Sequence, residues 1–325
     1  MKYLITGGAG FIGSNFIKYM IDKYKEDYFV CLDLLTYASS LDSLKEVMNN
    51  KNFKFVHGDI CDKELVDKLF NEERFDYVIN FAAESHVDRS FIYEELFYKS
   101  NVEGVRVLLE ASNRYKVKRF HQVSTDEVYG QLPLDDLALS FTEESPLNPT
   151  TPYSKSKRDA DLLILDYIKK EDIDVTISRS ANNYGIYQHP EKLIPKVVYL
   201  ALTNKKIEVY GDGSNVRSWI YVLDHCNAID KILHFGKKGE IYNISGNNEI
   251  TNIEMIKHIV KQLEIEEYEL IYNNKRIHDD TRYSLDCSKI KEELSIDFKT
   301  SFLQSLNNVI LWYKENIEWL KTKIL

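Results

Sequence analysis

An apolar run, Tyr3-Leu4-Ile5, that leads straight into Thr6-Gly7-Gly8-Ala9-Gly10-Phe11-Ile12-Gly13 narrows the possible folds more than any other feature of the chain. Glycines at 7, 10 and 13 between a strand and a helix permit a tight turn, let backbone approach a ligand and let the helix pack closely on the strand. The helix that opens there aims its unpaired N–H groups at whatever fills the turn, which suits an anion such as a pyrophosphate. A glycine triad alone is a weak sign. One that follows a strand and opens a helix is a strong one.

Similar apolar runs recur from Tyr28 to Leu32, Phe53 to His57, Tyr77 to Phe81, Arg119 to Ser124 and Val175 to Arg179. Between them the spacing predicts helices at roughly 12–25, 39–49, 62–72, 94–115 and 152–171, each good to about 2 to 4 residues at its ends. Strands apolar on both faces and alternating with helices imply an α/β fold, a Rossmann-type doubly wound parallel sheet. After Arg179 the alternation loosens, which predicts a smaller C-terminal substrate-binding lobe. The expected division is roughly 1–181 for the sheet domain, with a returning segment at about 221–245, and roughly 182–220 with 246–325 for the lobe. Thr251 to Leu263 and Lys289 to Leu294 read as further helices, and the last 20 or so residues as one amphipathic helix.

A net charge of −9 argues against nucleic acid or an anionic membrane surface as partner. Cys31, Cys61, Cys226 and Cys287 are widely spaced with no CxxC pair, which predicts neither a metal site nor a disulfide framework. No leader-like N-terminal segment and no long apolar stretch is evident, so a cytoplasmic protein without a membrane span is expected.

Asp33 ends the second predicted strand 20 residues beyond Gly13, where an acid binds the adenosine ribose hydroxyls of a dinucleotide. The same acid repels a 2′-phosphate and Leu34 offers no compensating cation, so NAD is expected rather than NADP. Asp59, before Ile60 at the end of the third strand, suits either the adenine edge or a helix cap.

Tyr153 and Lys157, in Tyr153-Ser154-Lys155-Ser156-Lys157, share one helical face four residues apart. A tyrosine acts as a base at neutral pH only beside a positive charge, which Lys157 would provide. Ser124-Thr125-Asp126-Glu127-Val128-Tyr129-Gly130 lies at the C-terminal end of a predicted central strand, where open α/β sheets bind ligands. If Asp126 stays protonated and Glu127 ionised, the two supply a general acid and a general base.

The segments TGGAGFIGSNF, LTYASSLDSL, GDICD, FAAESHVDRS, STDEVYG, PYSKSK, NNYGIYQHPEKLIP, VYGDGSNVRSWIYVLDHC and YNISGNNE follow one another over most of the chain. In these the sequence resembles the extended short-chain dehydrogenase/reductase enzymes, and within them the dTDP-glucose 4,6-dehydratases. STDEVYG discriminates, since related epimerases and decarboxylases usually lack the acid pair after the threonine. The resemblance implies a lyase in which Gly7, Gly10, Phe11, Ile12, Gly13, Asp33, Asp59, Ile60, Ala82, Ala83, Tyr153 and Lys157 hold NAD. It further implies that Tyr153, aided by Thr125, takes the proton of the sugar C4 hydroxyl while hydride passes to NAD. Glu127 then removes the C5 proton, Asp126 protonates the departing C6 hydroxyl, and the hydride returns to C6. On the nucleotide-sugar side it implies Ser85, His86, Asn183, Glu191, Lys192, Leu193, Arg217, Asn252 and Arg276. A homodimer joined through helices near Tyr153 and near Asn101 to Tyr115 is implied as well.

The chain departs from the family on that side. Arg217-Ser218-Trp219 stands where Arg-Asp-Trp is usual, and Arg276-Ile277-His278-Asp279-Asp280-Thr281-Arg282-Tyr283 where Arg-Pro-Gly-His-Asp-Arg-Arg-Tyr is usual. UDP-glucose and UDP-N-acetylglucosamine therefore stand beside dTDP-glucose as expected substrates. A C4 epimerase or decarboxylase of the same fold, which would not need the acid pair, and a cofactor-bound scaffold without catalysis are the rival readings.

Overall fold

The computed structural model describes residues 1–246, 248–273 and 280–324. In chain order its strands are β1 (Lys2–Thr6), β2 (Tyr28–Asp33), β3 (Phe53–His57), β4 (Tyr77–Asn80), β5 (Arg119–Thr125), β6 (Val175–Ser180), β7 (Asn182–Tyr184), β8 (Ile207–Tyr210), β9 (Val216–Tyr221), β10 (Ile241–Ile244), β11 (Asn248–Thr251) and β12 (Leu270–Asn273). Seven of them form one sheet in the order β10-β6-β5-β4-β1-β2-β3, and every pairing in it is parallel. Leu4 in the middle of β1 pairs with Val30 on one side and Val78 on the other. The chain leaves β1 toward β2 and comes back on its far side at β4, so a crevice opens at the C-terminal ends of these two strands.

Both sheet faces are covered, which is why the strands are apolar on both sides. On one face Val105, Leu108, Leu109, Ala160 and Ile164, from the helices Gly104–Arg114 and Pro152–Lys170, pack with Leu4, Val30 and Val78. On the other, Phe16, Ile17 and Met20 of the helix Phe11–Lys23 and Cys226, Ile229 and Leu233 of the helix Val222–Phe235 pack on Tyr3, Ile5 and Phe29. A separate core is built from the helices Leu193–Leu202, Asn252–Gln262 and Phe302–Glu315, with Trp219 of β9. It accompanies a three-stranded sheet, β11-β9-β7, and the pair β12-β8. No helix among the described residues is long and apolar enough to cross a membrane.

Three predicted helices differ from what forms. Across 39–49 there is only a short 3₁₀ turn, Leu41–Leu44, because serines compete for the backbone: Ser40 caps Asp42 N–H, and Ser43 Oγ donates to the carbonyls of Ala9 and Ser40. The predicted helix 94–115 carries a π turn at Lys99–Glu103 that places Asn101 against the loop after β4. The C-terminal segment is two helices, Phe302–Glu315 and Ile317–Ile324, broken at Asn316, whose side chain and backbone amide both donate to Trp312 O.

Pro152–Lys170 starts as its sequence dictates, with Thr151 and Ser154 forming a reciprocal capping box and Pro152 in the first turn. Its register against the sheet is held by a buried ion pair, Arg179 Nε to Asp161 Oδ2 at 3.0 Å, with the guanidinium 4.8 Å from the centroid of the Tyr129 ring. Both partners are almost fully buried, with side-chain exposures of 2% and 0%. Replacing Asp161 with Ala would strand the buried guanidinium, so it should cost about 3–5 kcal/mol in denaturant unfolding. A loss below about 1 kcal/mol would show that the pair does not anchor the helix.

Candidate active site

The crevice is a cavity of about 520 Å³ whose walls come from the C-terminal ends of the central strands and from the segment after β7. Gly7 (φ +66°) turns the chain beneath it, and a Cβ there would lie 2.5 Å from Ala82 N, so only glycine lets the ends of β1 and β4 approach. Gly7, Gly10, Phe11, Ile12 and Gly13 all line the cavity. No side chain caps the helix that begins at Phe11, which leaves its first-turn N–H groups for an anion.

Asp33 lines the same cavity, 6% exposed, with Oδ2 accepting from Ala9 N–H at 2.9 Å and Oδ1 from Leu35 N–H at 2.8 Å. The two amides orient the carboxylate and leave each oxygen able to accept again, as ribose hydroxyls require. Asp59 and Ile60 lie further along this wall. The Asp59 carboxylate accepts from Cys61 N–H at 2.8 Å and lies 3.7 Å from Lys99 Nζ, so its local capping contact and its place in the cavity coexist. Ala82 and Ala83 line the cavity just beyond β4.

Thr125, Asp126, Glu127, Tyr153 and Lys157 meet at one end of the cavity. Thr125, the last residue of β5, caps the turn Asp126–Tyr129: its Oγ1 accepts from Glu127 N–H at 3.3 Å and donates to Asp126 Oδ1 at 3.2 Å. Gly130 (φ +89°) ends that turn against Asn148 O, which a Cβ would meet at 2.5 Å. Asp126 is 2% exposed, and its Oδ2 has no hydrogen-bond partner among the described residues. Burial and the adjacent charge of Glu127 push its carboxyl up to about 8, so it is protonated at neutral pH.

Tyr153, 9% exposed, is held well above the usual tyrosine range by burial and by the charges of Glu127 and Asp126, against a hydrogen bond with Thr125. The Lys157 ammonium donates to the Val123 carbonyl at 2.8 Å. Burial lowers it to about 8, opposed by Asp161 one turn further on. Sharing a helical face thus brings Lys157 into the cavity, where the Val123 carbonyl of β5 accepts from one of its three N–H bonds.

The residues expected on the nucleotide-sugar side divide. Ser85, Asn183, Glu191 and Lys192 line the cavity. Glu191 joins its two walls: Tyr37 Oη donates to it at 3.2 Å, with Lys192 Nζ at 3.5 Å and the rings of His86 and His189 each at 3.6 Å. Lys192 also donates to Ser85 O at 3.2 Å. The Asn183 amide is oriented by His225 Nδ1 at 2.7 Å from its Oδ1 and by the Ala181 carbonyl at 3.1 Å from its Nδ2. Among the described residues, His86, Leu193, Arg217 and Asn252 are not in the lining of this cavity.

Leu193 opens a helix, Leu193–Leu202, and packs on the separate core that includes Trp219. Asn252 opens another, its N–H donating to Asn215 O at 3.0 Å. The Arg217 guanidinium lies 4.9 Å from the centroid of the Tyr283 ring and donates to Val216 O and Thr281 O, yet its charge still reaches Asp126. Of the departures from the family, Ser218 Oγ pairs with Ser245 Oγ at 2.6 Å, and Thr281 Oγ1 donates to Leu132 O at 2.7 Å. Arg276, with His278 and Asp279, lies outside the described residues.

Sequence reasoning missed Tyr37, Glu84, Arg89 and Gln188, which also line the cavity, and quoted Ser124 without a role. The signal for Glu84 was its position, one of the first polar residues beyond a buried strand. Buried side-chain atoms without a partner among the described residues gather here: Glu84 Oε2, Arg89 Nε, Ser124 Oγ, Asp126 Oδ2 and Gln188 Oε1 all belong to this lining. Unpartnered buried polar atoms are costly. Their concentration in one cavity is what a site shaped for a polar, hydroxyl-rich ligand would show.

Residues 4–309 match the family described as GDP-mannose 4,6 dehydratase. The chain is 45% identical to the low-salt glycan biosynthesis protein Agl12 of Haloferax volcanii, over 96% of this chain and 98% of that one. It is 41% identical to the dTDP-glucose 4,6-dehydratase of Haemophilus influenzae, over 97% of this chain and 98% of that one. The fold is similar to the crystal structure of the dTDP-glucose 4,6-dehydratase of Bacillus anthracis in complex with NAD, with TM-score 0.92, 43% identity and 99% of each chain covered. By the extent of these matches and the residues gathered in the cavity, the chain belongs to the GDP-mannose 4,6 dehydratase family.

Proposed function

We propose that this protein is an NAD-dependent 4,6-dehydratase of a nucleotide hexose, dTDP-glucose or a close analogue, yielding the 4-keto-6-deoxy sugar. The observation that carries this reading is the buried Asp126 keeping its proton to about 8 beside Glu127, next to Tyr153 and Thr125. An epimerase or a decarboxylase has no use for such a pair. Dinucleotide binding is supported by the glycine turn, the uncapped helix and Asp33 with its free acceptor positions.

NAD would be held by Gly7, Gly10, Phe11, Ile12, Gly13 and Asp33 and would supply a reversible hydride acceptor and, when oxidised, a positive charge. Tyr153 takes the C4 hydroxyl proton, and Thr125 shares its hydrogen bond with the phenol. Because burial and the charge of Glu127 hold the Tyr153 proton tightly, the phenol gives it up only when positive charge offsets them, a role we assign to Lys157, one helical turn away in the same cavity lining. Once C4 is a ketone, Glu127 removes the now acidic C5 proton. Asp126, already protonated, donates to the leaving C6 hydroxyl, water departs, and the proton held by Glu127 goes back to C5 as C6 is reduced.

The binding roles of Ser85, His86, Asn183, Glu191, Lys192, Leu193, Arg217, Asn252 and Arg276 are proposed on the same basis, with Arg217 on the diphosphate. So is a division into a sheet domain (about 1–181 with about 221–245) and a substrate lobe. Exposed Tyr98 and Leu162, on the helices that flank the site, support a homodimer formed through those helices. Free cysteines support a cytoplasmic setting.

A panel of dTDP-glucose, UDP-glucose and UDP-N-acetylglucosamine read by mass spectrometry tests the reaction: dehydration removes about 18 mass units, one water, and epimerisation none. Asp126→Asn and Glu127→Gln should each slow water loss about 10²- to 10⁴-fold while enzyme-bound NADH still forms and is seen by its absorbance. Parent rates in both variants would refute the assignment. Because Asp126 titrates near 8 when folded and near 4 when unfolded, its contribution to stability is complete in acid and is lost as pH rises through about 8. Asp126→Asn should therefore raise the melting temperature more at about pH 9 than at about pH 5. An equal effect at both would mean that the carboxyl is ionised throughout.

A further inference from the structure

Glu84 lies one residue before Ser85 in the cavity wall, 6% exposed, and its Oε2 has no hydrogen-bond partner among the described residues. The backbone beneath it is fixed. Its N–H donates to Asn101 Oδ1 at 2.8 Å and its carbonyl accepts from Asn101 Nδ2 at 3.0 Å, while the same Nδ2 lies 2.9 Å from Ser156 Oγ. The π turn that carries Asn101 thus serves to hold Glu84 against the helix bearing Tyr153.

A carboxyl this buried would ordinarily be paired. Arg89, one short helix further on, feels its charge, but no ion pair within 4.0 Å joins them among the described residues; the guanidinium lies instead over the Tyr37 ring, 4.2 Å from its centroid. Arg89 Nε, in the same lining, is likewise unpartnered. An unsatisfied acceptor and an unsatisfied donor in one wall match a hydroxyl, which gives one hydrogen bond and accepts another. Phosphate is the wrong ligand, since Glu84 and Glu191 would repel it. The cofactor is provided for by Asp33 at its adenosine ribose and by Tyr153 and Lys157, which are expected to hold NAD. The hydroxyl-rich group left is the hexose.

We propose that Glu84 accepts a hydrogen bond from a hydroxyl of the bound hexose, with Arg89 donating to the same part of the sugar, and so is a specificity-determining residue. This rests on the nucleotide-hexose reading of the site. The sugar must approach with a hydroxyl where a hydrogen or a bulky substituent would leave the carboxyl unpaired, a form of selection by the cost of an unmet buried group.

The test compares kcat/KM for the nucleotide hexose and for its 2-deoxy and 3-deoxy analogues in the wild type, Glu84→Ala and Glu84→Gln, together with the NAD dissociation constant and the melting temperature of each ligand-free protein. The wild type should reject one analogue about 10- to 100-fold. Glu84→Ala should accept both within about 2-fold of its own rate with the parent sugar, and Glu84→Gln, which keeps shape and fold, should weaken the rejection about 3-fold or more. NAD affinity should be unchanged, and the ligand-free Glu84→Ala protein should melt no lower than wild type, since it loses a buried group with no partner. A wild type indifferent to both analogues, variants that discriminate as the wild type does, or a loss confined to NAD affinity would overturn the proposal. If the wild type dehydrates no nucleotide hexose, the functional reading falls and Glu84's role falls with it; normal dehydration with unaltered discrimination removes only the role of Glu84.

Discussion

A carboxyl keeps its proton at neutral pH only if water is kept from it and negative charge is kept near it, and Asp126 has both, buried at 2% exposure beside Glu127. Much else in the structure serves that arrangement. β5 delivers Thr125 as the cap of the turn that carries both acids, and Gly130 ends the turn where a larger residue would strike Asn148. The helix that brings Tyr153 and Lys157 opposite is started by its capping box and tied to β6 through Asp161 and Arg179. Two similar side chains, one sealed and one half-buried, are thereby suited to the opposite roles proposed for them.

The cavity also stores unmet hydrogen bonds. Glu84, Arg89, Ser124, Asp126 and Gln188 each present a buried polar atom that the described protein leaves without a partner. Binding removes that cost and folding bears it, which is the usual relation between stability and a preorganised site. The opening between the walls is bridged by Tyr37 and Glu191, so cofactor side and sugar side touch directly.

The sheet was legible because strands covered on both faces are apolar throughout, and because the glycine turn admits few alternatives. The 3₁₀ turn at 41–44 and the π turn at 99–103 were not, since each arises where a side chain, Ser43 or Asn101, outbids the regular helix for a backbone partner from a distant segment. At the site, the spacing of Tyr153 and Lys157 and the run of Thr125, Asp126 and Glu127 were visible as chemistry on one helix face and at one strand end. Which atom Lys157 binds was not, because the Val123 carbonyl belongs to another element. Arg217 shows the same limit: it lies on Tyr283, a contact 66 residues away that no local pattern announces. For Glu84 the sequence offered only its position just beyond a buried strand, and it is the missing partner of its Oε2 among the described residues that marks it.

The most direct measurement is infrared difference spectroscopy of the NAD-loaded protein, wild type minus Asp126→Asn, with aspartate carboxyls isotopically labelled. The wild type should show a protonated-carboxyl band at neutral pH that disappears on titration through about pH 8. A carboxylate band in its place at pH 6 to 7, present in the wild type and lost in Asp126→Asn, would contradict the division of roles proposed for Asp126 and Glu127.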